Sequence, residues 1–184
     1  MCRTIRSVAY SDSLPEKDPL GKFTVGDCPW YNAEKPKGES SMKVLVSACL
    51  LGRNCKYNGK NNYNPAVAAF VANKEVVEYC PEVMAGLGIP RTPIEIVDGV
   101  LMDRNGNKVD TLLRDAVAKA MAEIRELDID CAILQSRSPT CGVNQVYDGT
   151  FSGKLIPGSG VFAQALKDAG YRVIDAEDIT CAER

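Results

Sequence analysis

Three cysteines share one position relative to predicted strands, and thiolates in such a position can bind a soft metal. Cys49, Cys80 and Cys141 each lie in a loop that follows a short apolar run. Binding groups in open α/β sheets lie beyond the carboxyl ends of the strands. We therefore expect the three side chains to converge. A thiolate forms at neutral pH when a metal or another positive charge stabilises it.

The number of converging thiolates decides which kind of site they form. Four would complete a closed zinc or iron–sulfur site, whereas three would leave one coordination position open, as catalysis requires. Cys55 follows Cys49 closely enough to reach the same metal, and the slightly favoured alternative is that it only lines the loop. The spacings are too long for a zinc ribbon, and the absence of a Cys-x-x-Cys pair argues against a thiol–disulfide oxidoreductase.

Composition narrows the possible functions. The chain has 184 residues, of which 45% are hydrophobic, enough for one domain with its own core. The net charge is −2 and no basic stripe is present, so nucleic acid is not expected as a primary partner. No apolar run approaches the length of a membrane span. There is no histidine, which excludes Ser-His-Asp and Cys-His mechanisms and leaves acid–base chemistry to Asp, Glu, Lys, Tyr or Cys.

The first 41 residues differ in composition from the rest of the chain. Residues 1–41 are polar and show no sustained period, which predicts a loosely packed or artificial N-terminal extension, with residues 42–184 as the single domain. Cys2 and Cys28 are interpreted as free thiols without a role. Residues 1–30 lack the apolar segment of a signal peptide, so we expect a cytoplasmic protein whose cysteines serve metal binding, catalysis or packing.

The order of apolar runs predicts the fold class. Runs at 44–46, 76–79, 131–135 and 172–175 are typical of strands, and residues 110–127 carry one apolar stripe at helical spacing. Strands that alternate with helices favour an α/β domain, here a three-layer Rossmann-like sandwich with a mostly parallel sheet.

Two local signals add detail to that fold. Asp98-Gly99 separates two apolar runs and predicts a β-hairpin inserted into the α/β pattern. Asn64-Pro65 predicts the start of a helix, because asparagine is a favoured cap and proline a favoured first residue.

Three ordered motifs carry a resemblance to a known family. The sequence resembles the thiouracil desulfidases, long catalogued as a domain of unknown function, over about residues 42–178. The motifs are Ser47-Ala48-Cys49-Leu50-Leu51-Gly52, then Cys80-Pro81-Glu82 with Gly86-Leu87-Gly88-Ile89-Pro90-Arg91, and last Ser136-Arg137-Ser138-Pro139-Thr140-Cys141-Gly142.

The resemblance implies a cofactor and a reaction. It implies a [4Fe–4S] cluster held by Cys49, Cys80 and Cys141, with a fourth iron free to take the sulfur of a small thiolated base such as 2-thiouracil or a related nucleoside. The thiocarbonyl sulfur is soft, so iron is a suitable acceptor, and binding would polarise the carbon toward attack by water without net electron transfer.

Polar residues of the same motifs are candidates for proton transfer and substrate binding. Glu82 is the best candidate to move protons, with a surface or capping carboxylate as the alternative. Ser136 and Ser138 would hydrogen-bond a pyrimidine edge or position water, or else stabilise turns.

A different function class stays open, namely a structural or sensing module that binds a cluster without catalysis. Polar groups around an open iron would favour the enzyme. The oligomeric state is left open.

Overall fold

The computed structural model describes residues 42–180 together with a two-residue strand nearer the N-terminus. The predicted extension, apart from that strand, and the thiols of Cys2 and Cys28 lie outside the described residues. In chain order the strands are Phe23–Thr24 (β1), Lys43–Ser47 (β2), Glu75–Tyr79 (β3), Ile94–Val97 (β4), Val100–Asp103 (β5), Cys131–Leu134 (β6), Gln145–Tyr147 (β7), Leu155–Pro157 (β8), Val173–Asp175 (β9) and Ile179–Thr180 (β10). The α-helices are Pro65–Val71 (α1), Pro81–Met84 (α2), Asp110–Arg125 (α3) and Val161–Asp168 (α4).

The central sheet is parallel and has the order β3–β2–β6–β9. Strand β2 lies between β3 and β6, so Val44 pairs with Val76 on one side and with Cys131 on the other. The sheet needs apolar residues on both faces, because helices cover a parallel sheet from both sides. The continuous apolar runs of the sequence are therefore strands, as predicted.

Successive residues of the central strands point into two separate cores. Val46 and Ile133 pack with Val67 and Phe70 of α1 on one face. The alternating strand residues Leu45, Ala132 and Leu134 point to the opposite face. They pack there against α3 and α4, whose buried residues include Met121, Ile124, Phe162 and Leu166. A helix layer on each side of a parallel sheet confirms the predicted three-layer α/β architecture, and Cys131 is a core residue rather than a loop thiol.

The predicted hairpin is present and a second one accompanies it. Asp98 and Gly99 join the antiparallel strands β4 and β5 with positive φ angles of 48° and 80°, the backbone that a tight two-residue turn requires. Strands β7 and β8 pair in the same antiparallel way, where the sequence predicts a loop with possible short strands over residues 142–154. The pattern also predicts residues 172–175 as the last strand, which is wrong, because β10 follows β9 and pairs with β1.

Helix starts are set by local chemistry. The Asn64 side chain accepts hydrogen bonds from the amides of Ala66 and Val67, which confirms the predicted cap of α1. The sequence pattern predicts a helix over residues 158–167, whereas α4 begins at Val161 because Gly160 is an extended cap residue. Among the described residues, no helix is both long and apolar enough to cross a membrane.

Candidate functional site

All six residues predicted for the site line a single cavity of about 550 Å³. They are Cys49, Cys80, Glu82, Ser136, Ser138 and Cys141. The cavity lies beyond the carboxyl ends of β2, β3 and β6, where a parallel sheet of this type binds its ligands. The expectation that three loops from three strands meet at one place is therefore met by the fold.

Cys49 lies in a single 3-10 turn, Ala48–Leu51, directly after β2. Gly52 ends this turn with φ of 93°, a conformation that glycine adopts without strain. The chain then loops back, and the backbone amide of Asn62 donates to the carbonyl of Cys49 at 3.0 Å. This contact places the side-chain amide of Asn62 3.7 Å from the Cys49 sulfur, as a hydrogen-bond donor.

Cys80 and Cys55 form a second group of thiols in the cavity. Cys80 is the residue before Pro81 at the start of α2, and its carbonyl accepts a hydrogen bond from the amide of Val83 at 3.1 Å. Cys55 is buried and contacts the thiols of both Cys49 and Cys80. The structure thus brings Cys55 into the site, whereas the sequence leaves its position open.

Cys141 is held in place by the start of α4. The amides of Phe162 and Ala163 donate to the carbonyl of Thr140, at 2.8 and 3.2 Å. Gly160 packs so closely on this loop that a Cβ atom would lie 2.5 Å from the Thr140 carbonyl, so no larger residue fits there. The loop that carries Cys141 is therefore fixed by backbone contacts to a helix of the core.

Burial and mutual contact raise the pKa of three thiols in the cavity. Burial raises the pKa of Cys141 to about 12, opposed in part by the Ser47 hydroxyl. Hydrogen bonding with Cys49 raises the pKa of Cys55 to about 11, together with burial and against the effect of Cys80. Contact with Cys55 and burial also raise the pKa of Cys80. Several thiolates would coexist here only with a positive charge between them.

The arrangement is not that of a site for one metal ion. Within residues 42–180 no three Cys, Asp or Glu side chains are placed to hold a single ion. A single zinc ion requires all its sulfur ligands at about 2.3 Å from one centre. An iron–sulfur cluster distributes its cysteine ligands over several iron atoms, so its ligands stand further apart.

Glu82 extends from α2 into the cavity and pairs with Arg91. The Arg91 Nε donates to Glu82 Oε2 at 2.8 Å, and its Nη2 contacts the same oxygen. The two side chains are 14% and 8% exposed, so the ion pair is largely buried. Arg91 is in turn fixed by the carbonyls of Cys55 and Tyr57, which accept from its side chain at 2.9 Å and from its backbone amide at 2.7 Å.

The second oxygen of Glu82 meets two hydroxyl groups of the Cys141 loop. Thr140 Oγ1 donates to Glu82 Oε1 at 2.8 Å, and Ser138 Oγ lies 2.8 Å from Thr140 Oγ1 and 3.4 Å from the carboxylate. Ser138 also accepts from the amides of Thr140 and Cys141, both at 3.1 Å. Ser138 therefore stabilises the turn, as one of its two interpretations expects, and it also belongs to the hydroxyl chain.

Ser136 is directed elsewhere. Its hydroxyl donates to the buried carboxylate of Asp175, which also accepts from the amide of Glu177 at 3.0 Å. Ser136 and Asp175 are both buried. This contact joins the Cys141 loop to the end of β9, as expected of a residue that stabilises a turn.

Sequence reasoning missed Thr140 and did not give Arg91 a definite partner. A local signal for Thr140 was present, since it is a hydroxyl residue between Ser138 and Cys141 in a loop already assigned to the site. The partner of Arg91 is Glu82, and both lie in the same predicted motif. Nothing in the sequence indicates that Asn62 would reach the Cys49 sulfur.

Known proteins resemble this chain in sequence and in structure. The sequence profile of the 2-thiouracil desulfurase family matches residues 44–178. The uncharacterized protein YbbK of Bacillus subtilis (strain 168) is 39% identical over 146 residues, which cover 74% of this chain and 97% of that protein. The solved structure of the [4Fe-4S]-dependent thiouracil desulfidase TudS superposes with a TM-score of 0.69 at 30% identity, covering 74% of this chain and 91% of TudS.

The family profile extends over all three cysteine motifs. The profile begins within β2 and ends just before β10, so it includes every loop that lines the cavity. The resemblance noted from the motifs is therefore confirmed, and the chain belongs to the 2-thiouracil desulfurase family.

Proposed function

We propose that this protein is an enzyme that replaces the sulfur of a thiolated pyrimidine, 2-thiouracil or a related base or nucleoside, with oxygen from water. The net reaction converts the thiocarbonyl compound and water into the carbonyl compound and hydrogen sulfide. The proposal includes a [4Fe–4S] cluster as cofactor, with Cys49, Cys80 and Cys141 as its ligands. Family membership supports the reaction, and the name of TudS states both the cluster and the substrate for that relative.

The residues of the cavity fit such a cluster. The proposed ligands are three soft thiols, and two of the sulfurs have a hydrogen-bond donor within reach: the Asn62 side-chain amide for Cys49 at 3.7 Å and the Thr140 hydroxyl for Cys141 at 3.8 Å. Donors to the ligand sulfurs are what stabilises a cluster and sets its potential in proteins. When bound, a cluster with three protein ligands supplies a Lewis-acidic iron for the thiocarbonyl sulfur.

The protein groups next to the thiols supply the proton chemistry. Glu82 Oε1, Thr140 Oγ1 and Ser138 Oγ form a continuous chain of hydrogen bonds that ends beside Cys141. Water that attacks the thiocarbonyl carbon must lose a proton, and the Glu82 carboxylate is the acceptor in reach of this chain. Arg91 fixes the orientation of that carboxylate through the opposite oxygen.

One observation carries the proposal more than any other. Cysteines from three separate loops line the same cavity as a buried carboxylate that is hydrogen-bonded to two hydroxyl groups. A module that only holds a cluster has no need of this polar set.

The test is reconstitution of the full chain without oxygen, with counts of iron and sulfide per protein, the visible spectrum, and release of uracil and sulfide from 2-thiouracil. We expect a cluster spectrum and stoichiometric formation of both products. Serine is a poor ligand for a soft metal site, so Cys49→Ser, Cys80→Ser and Cys141→Ser should each lose most of the iron. Cys131→Ala is the matched control, because Cys131 is buried in β6 against α1 and does not line the cavity.

Two results would contradict parts of the proposal. A protein with a full cluster that releases no uracil would favour the non-catalytic module. If Cys55→Ser loses iron as completely as Cys49→Ser, the cluster has four protein ligands and no open iron for the substrate.

A further inference from the structure

The wall of the cavity formed by the inserted hairpin contains a buried carboxyl group with one unused oxygen. Glu95 lies in β4, lines the cavity and is only 7% exposed. Its Oε2 accepts a hydrogen bond from the backbone amide of Phe151 at 3.0 Å. No other hydrogen bond or ion pair of Glu95 exists within the part of the chain that the structure describes.

Burial of a carboxyl group with an unpaired oxygen costs free energy unless a hydrogen-bond donor binds to that oxygen. A buried carboxyl group that lacks hydrogen bonds loses its hydration without compensation. No arginine of the cavity wall forms an ion pair with Glu95: Arg91 pairs with Glu82, Arg137 pairs with Glu177, and Arg104 lies against the Phe151 ring. Glu95 lines the cavity, so its Oε1 is available as an acceptor for a hydrogen-bond donor of a ligand.

The loop that contacts Glu95 also presents an aromatic ring to the same cavity. Phe151 lines the cavity and has φ of 55°, a strained conformation for a residue with a side chain. The loop is pinned to β4 at Gly149, where a Cβ would lie 2.6 Å from the carbonyl oxygen of Ile96. Arg104, another residue of the cavity wall, places its guanidinium 5.8 Å from the centre of the Phe151 ring.

A flat ring and an adjacent acceptor are the two elements that recognise a nucleobase. Aromatic side chains stack on the faces of bases, and polar side chains hydrogen-bond their edges. Because the Phe151 amide itself donates to Glu95, the ring and the carboxyl group are tied together as one unit. A base that contacts Phe151 would present its edge within reach of Glu95 Oε1.

We infer that Glu95 and Phe151 form a specificity subsite that binds the N3–H edge of a uracil-type ring. This inference rests on the proposed function and names the group of the substrate that is selected. N3–H is adjacent to both ring positions that can carry the sulfur, and it stays free when a sugar is attached at N1. Cytosine-type rings have a bare nitrogen at N3, which would face the Glu95 oxygen without a hydrogen between them.

Product analogues test the subsite without any need for turnover. The probes are 1-methyluracil, which keeps N3–H, and 3-methyluracil, which has the same added methyl group but lacks N3–H. Titration calorimetry of the full chain should show tighter binding of 1-methyluracil by about 10- to 150-fold, the range for a hydrogen bond to a charged group. Equal binding of the two probes would overturn the inference.

Substitution of Glu95 separates recognition from structural support. In Glu95→Gln the side-chain oxygen can still accept from Phe151, while the amide nitrogen takes the free position and donates instead of accepting. We expect 1-methyluracil to bind more weakly and 1-methylcytosine to bind more tightly, so that the preference reverses. The matched control is Glu78→Gln, which changes a carboxylate paired with Arg53 outside the cavity.

The outcomes distinguish this inference from the proposed function. If Glu95→Gln weakens both probes equally, the carboxyl group only supports the Phe151 loop and the inference is wrong. If the preference reverses but the wild-type protein releases no uracil from 2-thiouracil, the subsite stands and the proposed reaction falls. If uracil is released while the preference is unchanged in Glu95→Gln, the reaction stands and the inference falls.

Discussion

Replacement of Glu82 by glutamine is the most direct test of how protons move in this site. The Glu82 carboxylate receives donors on both oxygens, from Arg91 on Oε2 and from Thr140 on Oε1. Glutamine has nearly the same shape and keeps one acceptor oxygen, which will turn toward Arg91 because an amide NH₂ group would repel the guanidinium. The NH₂ group then faces the Thr140 hydroxyl, which can accept instead of donate.

The substitution of Glu82 has two separate effects, one on the reaction rate and one on the stability of the fold. Loss of a general base typically lowers the rate by about two to four orders of magnitude, which is about 2.7 to 5.5 kcal/mol of transition-state stabilisation. Stability falls as well, since a hydrogen bond to a charged partner is worth about 1.5–3 kcal/mol and a neutral one about 0.5–1.5 kcal/mol. A net loss of roughly 2 kcal/mol in stability corresponds to a lower Tm by about 4–8 °C.

The assay must show that the chemistry, and not the cluster, has been lost. Uracil and sulfide released from 2-thiouracil are measured without oxygen and divided by the iron content of each preparation. Glu78→Gln serves as the control, because it removes a carboxylate from a surface ion pair in which Arg53 is 69% exposed. If Glu82→Gln turns over at nearly the wild-type rate with a full cluster, Glu82 is not the base. The proton acceptor must then be sought at Ser138 or in bound water.

Two further outcomes follow from contacts on either side of this group. Thr140→Val removes the buried hydroxyl between Ser138 and Glu82, so the rate should fall by about 10-fold or more, the cost of one lost hydrogen bond. Thr140→Ser keeps a hydroxyl and should retain most of the wild-type rate. A fully active valine variant would show that the hydroxyl chain is not used. Truncation of residues 1–41 should leave the cluster content unchanged and lower the Tm only slightly, because the described part of this segment contributes the two-residue pairing of β1 with β10. A truncated protein that is insoluble, or whose Tm falls by many degrees, would show that the segment is part of the core.

The sequence predicts the fold well where burial leaves no choice. A run such as 44–46 is apolar at every position, as expected of a strand that is covered on both faces. The β7–β8 hairpin was not predicted because its strands have three residues each and little alternation. The start of α4 was placed too early, because the close packing of Gly160 on Thr140 depends on a contact with a distant loop.

Topology also decides which site residues can be predicted from the sequence. The cysteines follow strands, so topology alone predicts that they meet. Thr140 contacts Glu82 across 58 positions of the chain and Phe151 contacts Glu95 across 56. Such pairs depend on the packing of loops from different elements, and no periodicity in the sequence records them. For Ser136 the sequence leaves substrate binding and turn stabilisation as alternatives, and only the fold shows that its hydroxyl bonds to Asp175, 39 positions away.

The hydroxyl chain and the proposed cluster ligand share one loop, and this links the two functions of the site. Thr140 and Cys141 are neighbours, and the Thr140 hydroxyl lies 3.8 Å from the Cys141 sulfur. Their loop is held by Gly160, which packs on the Thr140 carbonyl, and by Gly142, which packs on the carbonyls of Ser138 and Gln145 so closely that a Cβ atom has no room. A shift of this loop would move the Cys141 sulfur and the Thr140 hydroxyl together. The distance between the Cys141 sulfur and the Glu82 carboxylate is therefore set by the packing of this loop on the start of α4. Precision of this kind is expected where a reacting carbon must meet a metal and a base at the same moment.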